Sequence, residues 1–440
     1  MCPTDKSKRA TGTGVINKTK DMENWRIKLS LFLNYFVFAI LLNSVGTVIL
    51  QVQNNFGVSE GAASTLEAFK DLSIAIASFL IASYVVRIGY KRCMLIALGI
   101  VSAMTLMMPM LPAFWAVKLL FAAVGVSFAL IKVSVFATIG IITHSEKEHA
   151  SFMNFLESVF MVGVLSGYFI FSAFVDDADK TSTSWFRVYY VLSAMSILAF
   201  VLLLSTKLDE SKVHTEKSAG LGEDFGKMLS LLAKPLVLIF IGSVFLYVMI
   251  EQGMMSWLPS FNQRVFNLPS SLSIQMSSIL AASLAVGRFA GGFVLKKMHW
   301  FKVLSFCIIA AGVLMLLSLQ LAGSGSTREV SGWADAPLAA YVVPLIGICL
   351  APIYPAINSV ILSKLPVTQH APMSGLIVVF SAIGGTTGSI ITGNLFGVFK
   401  GQEQIAFYLL LIPIVAILIV LFFFKKETDK IPFEGGGGQE

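Results

Sequence analysis

The chain has 440 residues, of which 56% are hydrophobic and only 13% are charged, and its mean hydropathy is +0.80. A soluble globular protein carries about 25% charged residues and roughly 45–50% apolar ones. So few charges cannot cover the surface of a soluble fold of this size, and the same numbers exclude disordered, collagen-like and coiled-coil chains. The composition therefore predicts a protein that crosses a membrane many times.

Twelve apolar segments are each long enough to span a bilayer as a helix, because a hydrocarbon core of about 30 Å needs ~20 residues. The alternating pattern of short barrel strands is absent, and residues 1–28 form a polar, basic tail rather than a cleavable signal peptide. The expected fold is an all-α membrane protein with twelve transmembrane helices. The segments are residues 29–52, 62–86, 93–112, 114–142, 150–174, 187–206, 235–257, 273–295, 303–322, 338–363, 371–397 and 404–424.

The distribution of lysine and arginine predicts the orientation of the chain, since cytoplasmic loops carry an excess of both. With the N-terminus in the cytoplasm, the inner loops and tails hold 23 of these residues, the outer loops hold 5 and the helices hold 4. We therefore expect both termini in the cytoplasm of a cell whose inner or plasma membrane holds the protein. The net charge of +7 is explained by this bias and does not indicate a nucleic-acid partner.

One long polar loop, residues 207–234, divides the twelve segments into six and six. The predicted organisation is a cytoplasmic tail 1–28, a six-helix bundle 29–206, a central cytoplasmic loop 207–234, a second six-helix bundle 235–424 and a cytoplasmic tail 425–440. A charged turn follows the second and the eighth segment, where Lys91 and Lys302 correspond. This repetition is typical of transporters built from two parallel repeats.

The first of these turns resembles the signature of the major facilitator superfamily. Gly89, Lys91 and Arg92 fit its glycine-and-basic end, while Val86 stands where the family has an acidic residue. The resemblance implies two bundles that rock about a midplane site in a monomeric carrier. Three further stretches are similar to the fucose:proton symporter branch of the superfamily, namely residues 287–289, 301–304 and 354–358.

The acidic residues depart from the pattern of that branch, which has one acid in the first helix and one in the fourth. This chain has Asn43 in the first helix and Lys132 in the fourth, and its acids lie in the second and fifth helices. The substrate and proton sites of the branch therefore cannot be transferred intact. Drug:proton antiporters of the superfamily are disfavoured as well, because residues 162–168 lack the proline of their fifth-helix motif.

Ionisable groups inside a membrane are costly and are functional candidates by default. Glu67, Lys70 and Asp71 are spaced i, i+3 and i+4, so they share one face of the second helix. We expect that face to meet a cavity or the first, fourth or fifth helix. Glu157, on a helix span without another charge, is the first candidate for a coupling proton, followed by Asp71 and Glu67. Alternatively, Lys70 and Lys132 only neutralise these acids in an ion-pair network.

Polar stripes suggest where a solute could bind. Amides and hydroxyls that donate and accept hydrogen bonds suit the hydroxyl groups of a sugar, although such side chains also join neighbouring helices. Prolines in the tenth segment predict that it bends beside the cavity. The candidate substrate-binding residues are Asn43, Thr47, Gln51, Lys70, Lys132, Tyr247, Glu251 and Asn358.

Three basic residues are candidates for gating. Arg288 lies late in the eighth segment, where it can extend to the membrane surface or pair with a neighbouring helix. Lys91 and Arg92 are expected to fix the topology and to contact the cytoplasmic gate. Trp257 is expected at the membrane interface. Small residues along the eleventh segment predict close, sliding helix contacts at Gly375, Gly384, Gly385, Gly388 and Gly393.

These observations predict a secondary active transporter rather than an enzyme. Walker, GxSxG and HExxH sequences are absent, so neither ATP hydrolysis, a cofactor nor a metal is expected. The first hypothesis is proton-coupled uptake of a small polar solute such as a sugar, with the solute, the proton and membrane lipid as partners. Two alternatives remain open, a carrier for a zwitterionic or anionic solute and an exporter of amphipathic compounds. A non-transporting receptor is disfavoured because no loop is long enough to form a soluble domain.

Overall fold

The computed structural model describes residues 8–82, 84–142, 146–206, 208, 210, 226, 228–322, 330–366 and 369–430. Their regular secondary structure is helical, as the composition predicts. Since the bilayer core offers no water to pair with backbone groups, a helix satisfies those groups within its own segment. Most of the predicted central loop lies outside the described residues, and so do residues 1–7 and 431–440 of the two predicted tails.

The first half of the chain, before the central loop, begins with a helix that is interrupted at Ser44. A helix of only four residues, Val85–Ile88, lies between the helix that ends at Ala82 and the helix that begins at Tyr90. The elements are α1 (Lys8–Asn43), α2 (Val45–Phe56), α3 (Glu60–Ala82), α4 (Val85–Ile88), α5 (Tyr90–Met107), α6 (Phe114–Ile142), α7 (Glu146–Ser172) and α8 (Val188–Leu204).

The second half repeats this plan, with one span broken into three short helices next to Pro344 and Pro352. That break is the bend expected of the tenth segment, because proline lacks the N–H that an unbroken helix needs. The elements are α9 (Pro235–Val265), α10 (Ser270–Leu295), α11 (Trp300–Ala322), α12 (Leu338–Val342), α13 (Ile346–Leu350), α14 (Ile353–Ser363), α15 (His370–Val398), α16 (Gln404–Leu409) and α17 (Leu411–Thr428).

Eleven stretches of the described helices are long and apolar enough to cross a membrane. The helix α3 has comparable length but carries three charged side chains, Glu67, Lys70 and Asp71, in its middle. The predicted count of twelve spans is therefore supported for eleven of them. Segment 114–142 coincides with α6, whereas α9 continues to Val265, eight residues beyond the predicted end at 257.

The halves meet along α3 and α15, and close contact there depends on glycine. A Cβ built on Gly393 would lie 3.0 Å from the Cβ of Ser64, and one built on Gly61 would lie 2.6 Å from Oδ1 of Asn394. We call this the far end of the molecule, and the opposite end, where α17 stops, the terminal end. Towards the terminal end, α3 and α15 border an apolar cavity of about 430 Å³ between Leu72–Leu80 and Leu376–Ile383. The two helices are thus in close contact at the far end, and apolar side chains line the space beside them towards the terminal end.

Candidate functional site

The three charged residues of α3 form a compact cluster, which we call the buried triad. Glu67, Lys70 and Asp71 are 1%, 5% and 8% exposed. The ammonium group of Lys70 contacts Oε1 of Glu67 and lies 3.3 Å from Oδ1 of Asp71. Its Nζ also lies 3.5 Å from the carbonyl oxygen of Leu42 in α1. The Lys70 ammonium group is therefore directed at its own cluster and at α1.

The triad also touches the second half of the chain. Ser256 Oγ of α9 donates to Oε2 of Glu67 at 2.8 Å, and Gln252 Nε2 donates to Oε1 of Glu67 at 3.2 Å. A Cβ built on Gly385 of α15 would lie 2.6 Å from Oδ2 of Asp71. The expected neighbours on the first and fourth helices are present, but these contacts with the seventh and eleventh helices were not predicted.

A second group, which we call the central cluster, consists of Lys132, Glu157, Glu251 and Arg288. Nη2 of Arg288 lies 3.5 Å from Oε1 of Glu251, and the hydroxyl of Tyr247 donates to the same oxygen at 2.8 Å. The side chain of Arg288 is 46% exposed although protein surrounds it. Of the two alternatives expected for Arg288, this ion pair agrees with pairing to a neighbouring helix rather than extension to the membrane surface.

Lys132 of α6 and Glu157 of α7 complete the central cluster from the first half. Both side chains have solvent-accessible surface, although protein surrounds most of each one. Residues that line an open cavity have this combination. The charges of Lys132 and Arg288 both act on the Glu157 carboxylate. The sequence singled out Glu157 because its own helix span carries no other charge, and two other helices, α6 and α10, supply cations that act on it.

Two tyrosines extend the central cluster into the second half. The rings of Tyr247 and Tyr354 stack with centroids 5.6 Å apart. The hydroxyl of Tyr354 lies 3.1 Å from Oγ of Ser381 in α15. One turn beyond Tyr354, Oδ1 of Asn358 is buried without a hydrogen-bond partner among the described residues. Hydroxyls and an unpaired acceptor thus lie on the same side as Glu251.

The polar stripe predicted on the first helix is less accessible than the central cluster. Asn43 donates its Nδ2 to the carbonyl of Ala39 at 2.9 Å, one turn earlier in its own helix. Thr47 and Gln51 lie in α2 beyond the break and are 1% and 4% exposed. In this conformation these two side chains are packed inside the far end rather than facing an open cavity.

The basic residues predicted at the cytoplasmic gate lie at the start of α5. Lys91 donates its Nζ to the carbonyls of Leu204, at 3.1 Å, and of Thr206, so its bonds remain within the first half. Arg92 is exposed. Glu210, from the central loop, accepts the backbone N–H of Lys91 at 2.7 Å. Glu210 therefore lies beside the turn in which Val86 stands where the family signature has an acidic residue.

Trp257 is not at a membrane interface. It is fully buried and donates its ring N–H to the carbonyl of Ser389 in α15 at 2.9 Å. The prediction is wrong because α9 does not stop near residue 257. Pro259 and several polar residues end the apolar segment there, but the helix continues and packs inside the far end.

Sequence reasoning missed the contacts that close the far end, because their partners lie in loops or at helix ends. Arg264 donates to Oε1 of Glu60 at 3.0 Å and to Oε1 of Gln53 at 2.6 Å. Asp177 accepts the backbone N–H of Ser271 at 2.9 Å. Arg264 and Lys180 had indicated only which loops are external. These bonds join the two halves of the chain at the far end.

The sequence matches the model of the Major Facilitator Superfamily over residues 31–389. The chain belongs to this superfamily. A curated relative, the Protein TsgA homolog of Buchnera aphidicola subsp. Acyrthosiphon pisum (strain APS), is 20% identical over 405 residues, covering 91% of this chain and 96% of that protein. The site of this superfamily member includes no group of three or more His, Cys, Asp or Glu placed for a metal ion, as far as the described residues extend.

Solved transporters of the superfamily share this fold. A bacterial homolog of the human lysosomal transporter Spinster, inward-facing and unoccupied, gives a TM-score of 0.70 at 16% identity, covering 92% of this chain and 96% of that one. A D-xylose-proton symporter gives a TM-score of 0.69 at 12% identity, covering 94% of this chain and 99% of that one. The transporter FucP, in its outward conformation, gives a TM-score of 0.59 at 15% identity, covering 91% of this chain and 99% of that one. At these identities the likeness concerns the fold alone.

Proposed function

We propose that the protein carries a small polar solute together with a proton across the membrane by alternating access. The observation that carries this proposal is the central cluster, in which both halves direct charged side chains at one enclosed, water-accessible space. A buried charge is tolerated in a membrane protein where it faces such a cavity. The bonds that join the halves at the far end, from Arg264 to Glu60 and Gln53, are of the kind that closes one side of the site in such a cycle.

A neutral, hydroxyl-rich solute such as a sugar is the first candidate. Each half supplies one cation and one acid to the central cluster, so its formal charges balance and a neutral solute leaves them balanced. Tyr247 and Tyr354 add hydroxyls, and Asn358 offers a buried acceptor without a partner among the described residues. Such mixed donors and acceptors complement sugar hydroxyls. The D-xylose-proton symporter among the similar structures is consistent with this candidate.

A zwitterion such as an amino acid is the second candidate, and the geometry of Arg288 favours it. Nη2 of Arg288 lies 3.5 Å from Oε1 of Glu251, while 46% of the arginine side chain is exposed. An arginine held this loosely has donors to offer to a carboxylate in the fork geometry that guanidinium groups prefer. Glu157 and Glu251 could then receive the ammonium group of the same molecule.

The buried triad is the better candidate for the coupling proton. It contains two carboxyl groups and one ammonium group, whereas the central cluster pairs two acids with two cations. An uncompensated charge away from water is costly, so one carboxyl of the triad has reason to bind a proton. Asp71 makes fewer hydrogen bonds than Glu67 and is therefore the first choice, with Glu67 next and Glu157 third. Lys70 becomes the fixed counter-charge of this site.

Orientation and setting follow from the charge bias of the loops. The proposal places the terminal end and both termini in the cytoplasm, with the protein acting as a monomer in an inner or plasma membrane and dividing into bundles 29–206 and 235–424. The far end is then external, and the bonds between the halves described above would close the external side. Lys91, Arg92 and Arg288 remain candidates for contacts made when that side closes.

The experiment uses purified protein in liposomes with a pH-sensitive dye outside. Sugars, amino acids and carboxylates are added one at a time, with Asp71→Asn, Glu157→Gln and, as a matched control, the exposed Asp335→Asn. Alkalinisation outside by one solute class, lost in Asp71→Asn and kept in the control, is the expected result. Silence across the whole panel would contradict proton symport, and acidification on adding an amphipathic compound would favour an exporter.

Lys132→Gln separates the two solute candidates. For a zwitterion or an anion, the loss of one cation from the central cluster should weaken solute affinity by about tenfold or more. For a sugar, the affinity should change less than the coupling ratio, because a neutral molecule keeps its hydroxyl partners. The measurement is the solute concentration that gives half-maximal uptake, compared with the number of protons moved per solute.

A further inference from the structure

Glu67 is the residue through which the buried triad is bonded to the second half of the chain. Three donors reach its carboxylate, namely Lys70 Nζ and Gln252 Nε2 at Oε1 and Ser256 Oγ at Oε2. Donors directed at a carboxylate favour its charged form and make stronger hydrogen bonds to it than to a neutral carboxyl. Two of the three lie on α9, so the charge of Glu67 in the first half determines the strength of a bond between the halves.

The charged surroundings of Glu67 are few. Lys70 and Asp71 face it from its own helix, α9 contributes the uncharged Gln252 and Ser256, and α15 approaches at Gly385. Glu251, the neighbouring acid on α9, is occupied by Arg288 and Tyr247. Among the described residues, the ionised form of Glu67 in this state thus depends on Lys70 and on the two donors from α9.

If the halves move apart at the far end, α3 leaves α9 and Glu67 loses both of those donors. The carboxyl group then shares Lys70 with Asp71 and loses its other stabilising partners. By linkage, if the closed far end favours the ionised form, the ionised form favours the closed far end to the same extent. A proton on Glu67 weakens the bonds to Ser256 and Gln252 and thereby favours the open far end.

We propose that Ser256 and Gln252 form a latch that holds the far end closed while Glu67 is ionised and weakens when Glu67 binds a proton. This inference rests on the proposed proton coupling through the buried triad, and it assigns control of the far end to Glu67, the second of the three candidate acids. A protonated carrier without solute stays open at the far end, so the proton does not cross alone. Bound solute supplies the interactions that then close the far end.

The test measures the far-end separation of the full-length protein as a function of pH. Spin labels are placed at the exposed far-end positions Lys180 and Gln402, one in each half, after Cys2, Cys93, Cys307 and Cys349 are replaced. In reconstituted protein without solute, the long-distance population should be larger at acidic pH than at pH 8. Glu67→Gln should show that population at every pH.

Ser256→Ala removes one latch bond and keeps the carboxyl group. Loss of a hydrogen bond to a charged group should raise the long-distance population at pH 8 by about tenfold. Ser260→Ala, one turn further along α9, is the matched control, because Ser260 is fully buried and its hydroxyl has no partner among the described residues. If Ser256→Ala fails to fold, the distances of Glu67→Gln still test the latch.

Two results would overturn the latch. One is a distance between the labels at positions 180 and 402 that does not respond to pH when Glu67, Gln252 and Ser256 are all present. The other is an equal effect of Ser256→Ala and Ser260→Ala on that distance. Failure of the proposed function is seen separately, in the liposome assay. Distances that follow pH as stated in a protein that moves no proton with any solute support the latch and remove proton symport. Proton symport with distances that ignore pH removes the latch alone.

Discussion

Arg264, in the last turn of α9, donates a hydrogen bond of 3.0 Å to Glu60 in the first turn of α3, 204 residues earlier. Lys400 lies 3.5 Å from the same carboxylate oxygen. Glu60 is 6% exposed, so its charge depends on these cations. The ends of two helices from opposite halves are thereby tied together at the far end.

Reversing this charge pair should open the far end. Arg264→Glu is expected to raise the labelling rate of a cysteine placed at the buried position Gln51 by about fivefold, the size of effect of a partly exposed ion pair. Membrane-impermeant maleimide measures that rate. Combining Arg264→Glu with Glu60→Arg should return it towards the original value, while Arg187→Glu, exposed at the same end, should leave it unchanged. Equal rates in all variants would show that this pair does not close the far end.

Glycines of α15 should divide into two classes. A Cβ on Gly388 would lie 2.1 Å from the carbonyl oxygen of Met249 within the second half, so Gly388→Ala should lower the stability of the fold by about 1–3 kcal/mol. A Cβ on Gly385 meets the movable carboxylate of Asp71, so Gly385→Ala should impair transport while retaining the unfolding temperature. Thermal unfolding in detergent and uptake in liposomes are the two measurements.

Gly292→Ala is the control for both changes, since a Cβ there meets nothing within 4 Å. It should leave both the unfolding temperature and the uptake rate unchanged. A normal unfolding temperature for Gly388→Ala would show that α9 and α15 can move apart at little cost.

Glu251 and Arg288 should be coupled in solute binding. Glu251→Gln or Arg288→Gln leaves one unpaired charge in the central cluster, which disfavours the bound state more than removal of both charges does. For a neutral solute, each single change should weaken affinity by about tenfold and the double change should recover part of that loss. Uptake at a series of solute concentrations gives the three affinities. Strictly additive losses would indicate that the two residues act independently.

Glu210 should stabilise the start of α5. Its two carboxylate oxygens accept the backbone N–H groups of Tyr90, at 3.0 Å, and Lys91, at 2.7 Å. Such a cap is worth about 1 kcal/mol, so Glu210→Ala should lower the unfolding temperature by a few degrees. Glu210→Gln keeps one acceptor oxygen and should lose less. The exposed Asp179→Ala serves as control, and an effect equal to that of Glu210→Ala would argue against a capping role.

The sequence predicted the helices well because a span must be apolar, and apolar length can be read directly. Segments 114–142 and 338–363 agree with the structure at both ends. The end of α9 was placed eight residues early, since a helix buried between other helices tolerates polar residues and a proline that lipid would not. Trp257 was misplaced for the same reason.

The candidate site was predicted residue by residue but not grouped correctly. Helical spacing alone placed Glu67, Lys70 and Asp71 on one face. Which helix faces that cluster depends on packing between the halves, and a single sequence contains no local signal for it. Ser256 was therefore missed, and so was the approach of Arg288 to Glu157, because these residues come from the other half of the chain.

Glu210 also determines how the two halves are connected. It fixes the start of the central loop to α5, while Met228 near its end packs within 3.1 Å of a Cβ built on Gly375. Only residues 211–227 then remain to bridge the halves. At about 3.5 Å per residue, a connection of that length can reach roughly 60 Å, far more than one rocking step requires. The cycle should thus tolerate large deletions between these two anchors, and a protease cut there should leave two paired pieces that still transport.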